Sequence, residues 1–298
     1  MTDAPVLVLS SNHPQALAAL LDSLMRQDGA VIDRRAVFLF QDGGRDATGV
    51  VTHWSDAVLL ANLDMFRRVV PHGIPLASYR HLGPVLNRDR AERFAFESLS
   101  ADAAVFLGDD LVLGRNYLRT LDRLLALALG SARIAAVSAD GDSRASLSDQ
   151  LAEPSRLTAM DGARGIGLLR RHWLRQSVYR SAYLGLVAGQ DYAERDRAAI
   201  QALLHDWGVD ASDTSYQAMV AHTCVLTGSA RVGTYACFAR HLAWPPAPSA
   251  LALPHGFGAP AMIEEDLCRP VTPTDEELAT FMAAAAGYGG VYDAASRA

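Results

Sequence analysis

The sequence predicts an α/β fold, a mainly parallel sheet flanked by helices. Three observations predict it. Apolar runs of strand length recur at 5–9 (PVLVL), 36–40 (AVFLF), 103–107 (AAVFL) and 134–138 (IAAVS). Segments with apolar residues at helical spacing alternate with them, as at 15–26, where Leu17, Leu20, Leu21 and Leu24 share one face. The strand runs are apolar throughout rather than alternating, as strands covered on both faces are.

The elements follow in order. After the first run comes Ser10-Ser11-Asn12-His13-Pro14, a set of turn and cap formers that opens the helix over 15–26. The second strand closes on Gln41-Asp42-Gly43-Gly44. Residues 46–51 read as the start of another helix, and 56–61 (DAVLLA) as a third strand. Residues 70–88 read as loop, punctuated by Pro71, Gly73, Pro75, Gly83 and Pro84. A helix is predicted over 89–99. The strand at 103–107 ends in Gly108-Asp109-Asp110, a helix follows over 117–129, and another short strand covers 134–138. Past 141 the pattern loosens, with a helix-like stretch over 192–204. From Pro245 the chain is rich in Pro, Ala and Gly, with a terminal helix predicted over 275–286 and the remainder read as loop, partly disordered. No internal repeat is visible. The expected organisation is one domain over 1–245 and a C-terminal extension over 246–298.

Composition narrows the function. Among 298 residues, half are apolar and a fifth charged, enough for a sizeable core. A net charge of −6 and a pI near 5.8 argue against nucleic acid as partner, which calls for a basic surface. A small anionic ligand remains compatible, because a local site can oppose the global sign. Cys224, Cys237 and Cys268 lack metal-ligand spacing and are too few and odd in number for a disulfide framework. No basic segment precedes an apolar one at the N-terminus, so no secretory signal is expected. The longest apolar stretch, 118–129, is broken by Arg119, Asp122 and Arg123, so no transmembrane segment is expected. The expected location is cytoplasmic.

In an open α/β sheet, ligands sit beyond the carboxyl ends of the strands. Ser10 to His13, Gln41 to Gly44 and Gly108 to Asp110 all fall at such ends and are expected to line one crevice. The acidic doublet is the most telling. Two carboxylates where a buried strand surfaces repel each other and lose solvation, so they need a compensating cation. Hard divalent ions take carboxylate and phosphate oxygens together. A turn or a helix cap explains either aspartate equally well. Asp42 can accept a ring N–H of a nucleobase, or can be an ordinary turn acceptor.

The order PVLVLSSNHPQALAALLDSL, then VFLFQDGG, then AVFLGDDLVLGRNYL resembles the GT-A glycosyltransferases, and is similar in particular to the family 13 N-acetylglucosaminyltransferases. Ala136-Val137-Ser138-Ala139 before a polar loop, and Gly165-Ile166-Gly167-Leu168-Leu169 followed by Trp173, extend the resemblance, which runs from about Val6 to His241. It implies a GT-A fold and inverting transfer of N-acetylglucosamine from a UDP-sugar, with Mn²⁺ or Mg²⁺. By the same resemblance Asp42 contacts uracil, Asp109 the ribose or sugar, and Asp110 the metal. Gly108 departs from the family's acidic first position, and the family's early arginine has no equivalent near Asn12-His13. Gly189-Gln190-Asp191-Tyr192-Ala193-Glu194-Arg195 aligns with the segment that carries the family's catalytic base, which falls on Asp191, with Glu194 its rival and a plain N-cap the other reading. The late segment 231–241 brings Arg231 and His241 toward the diphosphate or the metal. Donor contacts are expected from Ser10, Asn12, Asp42, Arg93, Asp109, Gly165 and Gly167, and metal ligation from Asp110 and His241. Arg93 can pair a phosphate or be a solvated helix arginine; the two glycines allow close approach to a sugar, or merely a turn. The acceptor is expected to be a glycoside, a small molecule or a lipid-linked sugar, and a homodimer is compatible. Two rivals stand beside this reading. A nucleotidyltransferase would need a Gly-rich basic loop after the first strand, which Ser10 to Pro14 lacks. A degenerate domain would bind nucleotide or partner without catalysis.

Overall fold

A computed structural model describes residues 3–160, 164–209, 212–242 and 262–286. Ten strands are present among them: β1 Val6–Ser10, β2 Val37–Gln41, β3 Ile74–Ala77, β4 Ala103–Gly108, β5 Leu111–Leu113, β6 Ile134–Ser138, β7 Leu157–Ala159, β8 Gly165–Leu169, β9 Ala230–Thr234 and β10 Ala239–His241. Eight of them form the central sheet in the order β3-β2-β1-β4-β8-β6-β9-β7. β1, β2, β3, β4, β6 and β9 run one way, and β8 and β7 run the other. The sheet is therefore mainly parallel, as expected, with an antiparallel strand set into its middle. The expected alternation of strands and helices did not reveal β8, because its Gly165 and Gly167 resemble turn residues. β5 and β10 pair separately as a two-stranded ribbon.

Both faces of the sheet are covered. On one, Val6, Val8, Leu39, Val105, Leu107 and Val137 pack with Leu17, Leu20, Leu21 and Leu24 of the helix Pro14–Met25, and with Leu118, Leu121 and Leu125 of the helix Tyr117–Gly130. On the other, Leu7, Phe38, Phe40, Phe106, Ile166 and Leu168 pack with Ala91, Phe96 and Trp173. The alternation of neighbours between faces is the period of two that a pleated strand imposes. A third cluster, with Tyr183, Ile200, Leu204, Tyr216 and Met219, joins the helices Ser177–Val187, Arg197–Asp206 and Tyr216–Leu226.

Four local expectations are corrected. Residues 46–51 are a loop, because the Asp46 carboxylate accepts hydrogen bonds from the Thr48 and Val50 amides (2.8 and 3.0 Å) and closes a turn. Residues 56–61 begin the helix Asp56–Val69; Asn62 and Phe66 are its buried stripe, a period that six residues are too short to display. The segment 70–88 holds β3 and the first half of the helix Gly83–Arg93, where Pro84 occupies the first turn and lacks only an amide the helix would leave unpaired. The stretch 192–204 is a short turn of 3-10 helix, Tyr192–Glu194, followed by a separate helix from Arg197 capped by Asp196. The terminal helix Asp275–Ala286 is as predicted, and Leu278 and Phe281 pack into the core. The loop expected for 246–261 and 287–298 lies outside the described residues.

Candidate functional site

Because six strands run the same way, their carboxyl ends share one rim: Ser10, Gln41, Ala77, Gly108, Ser138 and Thr234. The strand order turns back between β1 and β4, so the loops after these two strands diverge and leave a crevice there.

The loop after β1 is rigidly held. The Ser11 amide donates to Asp109 Oδ2 (3.0 Å), and the Ser11 carbonyl accepts from Gln41 Nε2 (2.6 Å) and Asn62 Nδ2 (3.0 Å). Asn62 Nδ2 also donates to Gln41 Oε1 at 3.1 Å. Ser10 and Asn12 flank this pinned peptide at the crevice. Asp109 is thus the clamp between the β1 loop and the end of β4. Burial pushes its pKa up, partly opposed by the Ser11 amide, the Ser10 hydroxyl and the charge of His13.

Asp110 turns the other way. Its carboxylate is ion-paired to Arg164, and its backbone carbonyl accepts from the Leu242 amide (2.7 Å). That contact continues the β5–β10 ribbon, in which His241 lies opposite Leu111. Pairing therefore fixes His241 beside the doublet. Its Nε2 stands 3.6 Å from Asp140 Oδ2, while its Nδ1 is buried with no hydrogen-bond partner. Asp140, two residues past β6, accepts from the Tyr117 hydroxyl (3.2 Å) and the Gly165 amide (3.3 Å). The Tyr117 pKa is raised well above its ordinary value, first by burial and then by Asp140. Asp140 and His241 line a cavity of about 240 Å³ together with Ser138, Asp142, Thr158 and Thr234. Sequence reasoning missed Asp140, although a carboxylate just past a strand end is the same signal that selected Asp42 and Asp109.

The remaining predicted residues go elsewhere. The Asp42 carboxylate accepts from the amides of Gly43 (2.8 Å), Leu82 (2.8 Å) and Gly83 (3.0 Å) and faces His81 Nδ1 at 3.0 Å. These contacts occupy the oxygens that a nucleobase would need. Gly43 and Gly44 are required by crowding: a Cβ would stand 2.4 Å from the Arg80 carbonyl oxygen or 2.1 Å from that of Trp54. Gly165 and Gly167 also admit close approach, but to the core. A Cβ on Gly165 would meet the Tyr117 hydroxyl at 2.2 Å, and one on Gly167 would meet Leu125 at 2.7 Å. Arg93 lies at the end of a helix that starts beside Asp42 and runs away from the rim, about 15 Å further along. It pairs there with Asp89 at 2.8 Å. Arg231, at the start of β9, is buried beside Glu92, Trp173 and Arg180.

Asp191 caps the turn Tyr192–Glu194, its Oδ1 accepting from the Ala193 amide at 2.9 Å. It lies in a corner beyond β2, with Oδ2 3.9 Å from His53 Nε2 and His81 close by. Burial pushes the His81 pKa down, but the hydrogen bond and charge of Asp42, with the Gly43 carbonyl and Asp191, more than reverse it. Glu194, in the same turn, makes no described contact with Asp110 or His241.

The sequence matches no family model and no curated protein. Several solved structures are similar in part. S. aureus TarS shares 17% identity over 48% of this chain and 22% of that one, with a TM-score of 0.33. The glycosyltransferase GlyE of Streptococcus pneumoniae shares 14% over 68% of this chain and 43% of that one, at 0.35. The bifunctional glycosyltransferase WbbM shares 13% over 68% and 37%, also at 0.35. The match spans less than half of each of those proteins, and at such TM-scores the likeness assigns no activity to this chain. Among the described residues no helix is long and apolar enough to cross a membrane.

Proposed function

We propose that the protein is a glycosyltransferase of the GT-A type, moving a sugar from a nucleotide-sugar to an acceptor hydroxyl, with UDP-N-acetylglucosamine as the first donor to test. The observation that carries this reading is the acidic doublet at the turning point of the strand order, with His241 registered beside Asp110 by the β5–β10 ribbon.

The donor types present suit a divalent cation held jointly with a diphosphate. Asp110 supplies a hard carboxylate oxygen, and His241 a buried ring nitrogen otherwise without a partner. Asp110 and His241 would hold Mn²⁺ or Mg²⁺, which would supply charge neutralisation to the diphosphate. Arg164 holds the Asp110 charge in the free protein and, once displaced, is free to pair a phosphate oxygen. Asp109 keeps the β1 loop closed against β4, so Ser10 and Asn12 present a fixed floor to the nucleoside.

For the base we favour Asp140 over Asp191. An inverting transfer needs one carboxylate within reach of the acceptor hydroxyl. Asp140 shares a cavity with His241, whereas Asp191 lies in the separate histidine corner with its Oδ1 on a turn cap. The test is donor hydrolysis and transfer with Mn²⁺. Asp140→Asn is expected to lower turnover about 10²–10⁴-fold while leaving donor binding intact. If Asp191→Asn is the variant that loses turnover and Asp140→Asn is fully active, the base is Asp191. If wild-type protein neither hydrolyses nor transfers any nucleotide-sugar, the enzymatic reading fails.

A further inference from the structure

Beyond the end of β2, away from the acidic doublet, three loops converge: 43–55, 78–83 and 189–195. Each contributes one residue with a metal-binding atom, His53, His81 and Asp191. The ligand atoms lie within 4.8 Å of one another, the one such group of three among the described residues. We propose that His53, His81 and Asp191 form a transition-metal site of the zinc class, with a water as fourth ligand.

A buried carboxylate stands behind one of the two imidazoles. His81 Nδ1 stands 3.0 Å from Asp42 Oδ2. Asp42 is 3% exposed and is itself fixed by the Leu82 and Gly83 amides, so the carboxylate holds the imidazole by its Nδ1–H. That leaves the Nε2 lone pair available. A buried carboxylate behind an imidazole is the outer-shell arrangement that orients metal-bound histidines and raises their basicity. A Cβ built on Gly83 would lie 3.8 Å from His81 Nε2 and 3.7 Å from Tyr192 Cβ. The His53 and His81 rings are 3.7 Å apart between centroids, and Trp54 stands edge-on to His81 at 5.0 Å, walling one side.

Asp191 uses Oδ1 to cap its own turn and keeps Oδ2 toward His53 Nε2 at 3.9 Å. That separation is too long for a hydrogen bond. It is close to the roughly 3.4 Å between two ligands of a tetrahedral ion bound at about 2.0–2.1 Å. Two imidazoles and one carboxylate suit zinc, whose preference is for nitrogen with a minority of oxygen, better than Mg²⁺ or Mn²⁺. An ion there would tie the three loops together next to Asp42. It is separate from the cation of the proposed transfer reaction and does not depend on it.

The full chain, stripped with a chelator, is dialysed against Zn²⁺ and its metal content measured, with the visible absorption of a Co²⁺-loaded sample reporting coordination number. Wild type and Asp110→Asn are expected to retain one equivalent, with the intense bands of four-coordinate cobalt and a raised Tm. His53→Ala and Asp191→Asn, both at exposed positions and checked for native circular dichroism, are expected to lose at least about tenfold in affinity along with those bands. Retention of the equivalent by both variants overturns the proposal, as does failure of the wild type to take up a stoichiometric ion. Loss only in Asp110→Asn also overturns it, by placing the metal at the acidic doublet.

Discussion

Asp109 and Asp110 are adjacent in sequence and opposite in role. Asp109 is inward, desolvated and hydrogen-bonded to the Ser11 amide, so Asp109→Ala should loosen the β1 loop and cost stability, on the order of 1–3 kcal/mol by denaturant unfolding. Asp110 is half-exposed and balanced by Arg164, so Asp110→Asn should leave stability nearly unchanged. Arg164→Ala should tighten Mn²⁺ in the absence of donor by no more than about fivefold, because an exposed guanidinium contributes roughly 0.2–1 kcal/mol to such a pair; titration of the free protein with Mn²⁺ measures it. These roles were half legible in the sequence. A doublet at a strand end announces chemistry, but which carboxylate turns inward depends on the register of β1 against β4, where Leu9 pairs with Gly108. Asp42 shows the converse. It sits where a ligand contact belongs, yet the backbone amides of the loop after β3 take its oxygens.

The antiparallel strand β8 shapes the site most among the elements. It enters at the crevice rim with Gly165 beneath Asp140 and ends at Leu169, where the helix Arg170–Arg175 begins. That helix buries His172, whose Nδ1 lies 2.9 Å from the Ser229 hydroxyl. Burial, then the charges of Arg171 and Arg175, push the His172 pKa down to about 4. A histidine that is neutral when folded takes up a proton on unfolding below about pH 6.5, so stability is full above that pH and falls progressively toward pH 4. The loss is on the order of 3 kcal/mol at most. His172→Gln should flatten that slope in denaturation midpoints measured between pH 7 and 4; an unchanged slope would assign it to other groups. The elements that sequence alone exposed were those with a long apolar period, β1, β2, β4, β6 and the helices Pro14–Met25 and Tyr117–Gly130. β8 and the helix Asp56–Val69 escaped because glycines in one and a short window in the other hid their periods.

At the scale of the molecule, the helices Ser177–Val187, Arg197–Asp206 and Tyr216–Leu226 are docked on the sheet through a buried polar joint. Glu92 pairs with Arg88 (2.7 Å) and accepts from Trp173 Nε1 (3.1 Å) and the Tyr216 hydroxyl (3.2 Å), linking the helix under the sheet to the one at 216–226. Glu92→Ala leaves Arg88 and two donors buried without their acceptor and should cost about 3–5 kcal/mol in urea unfolding. This joint was illegible in the sequence, since Trp173 and Tyr216 lie more than eighty positions from Glu92. The mainly parallel α/β layout itself was legible, because it follows from local apolar runs. The proposed function turns on the doublet. Thermal unfolding with UDP-N-acetylglucosamine, with and without Mn²⁺, on wild type and Asp110→Asn tests it most directly, because a ligand that binds the native state raises Tm by mass action. A metal-dependent rise is expected in the wild type, and Asp110→Asn is expected to abolish it. An equal rise without metal, or in the variant, would contradict the proposed function.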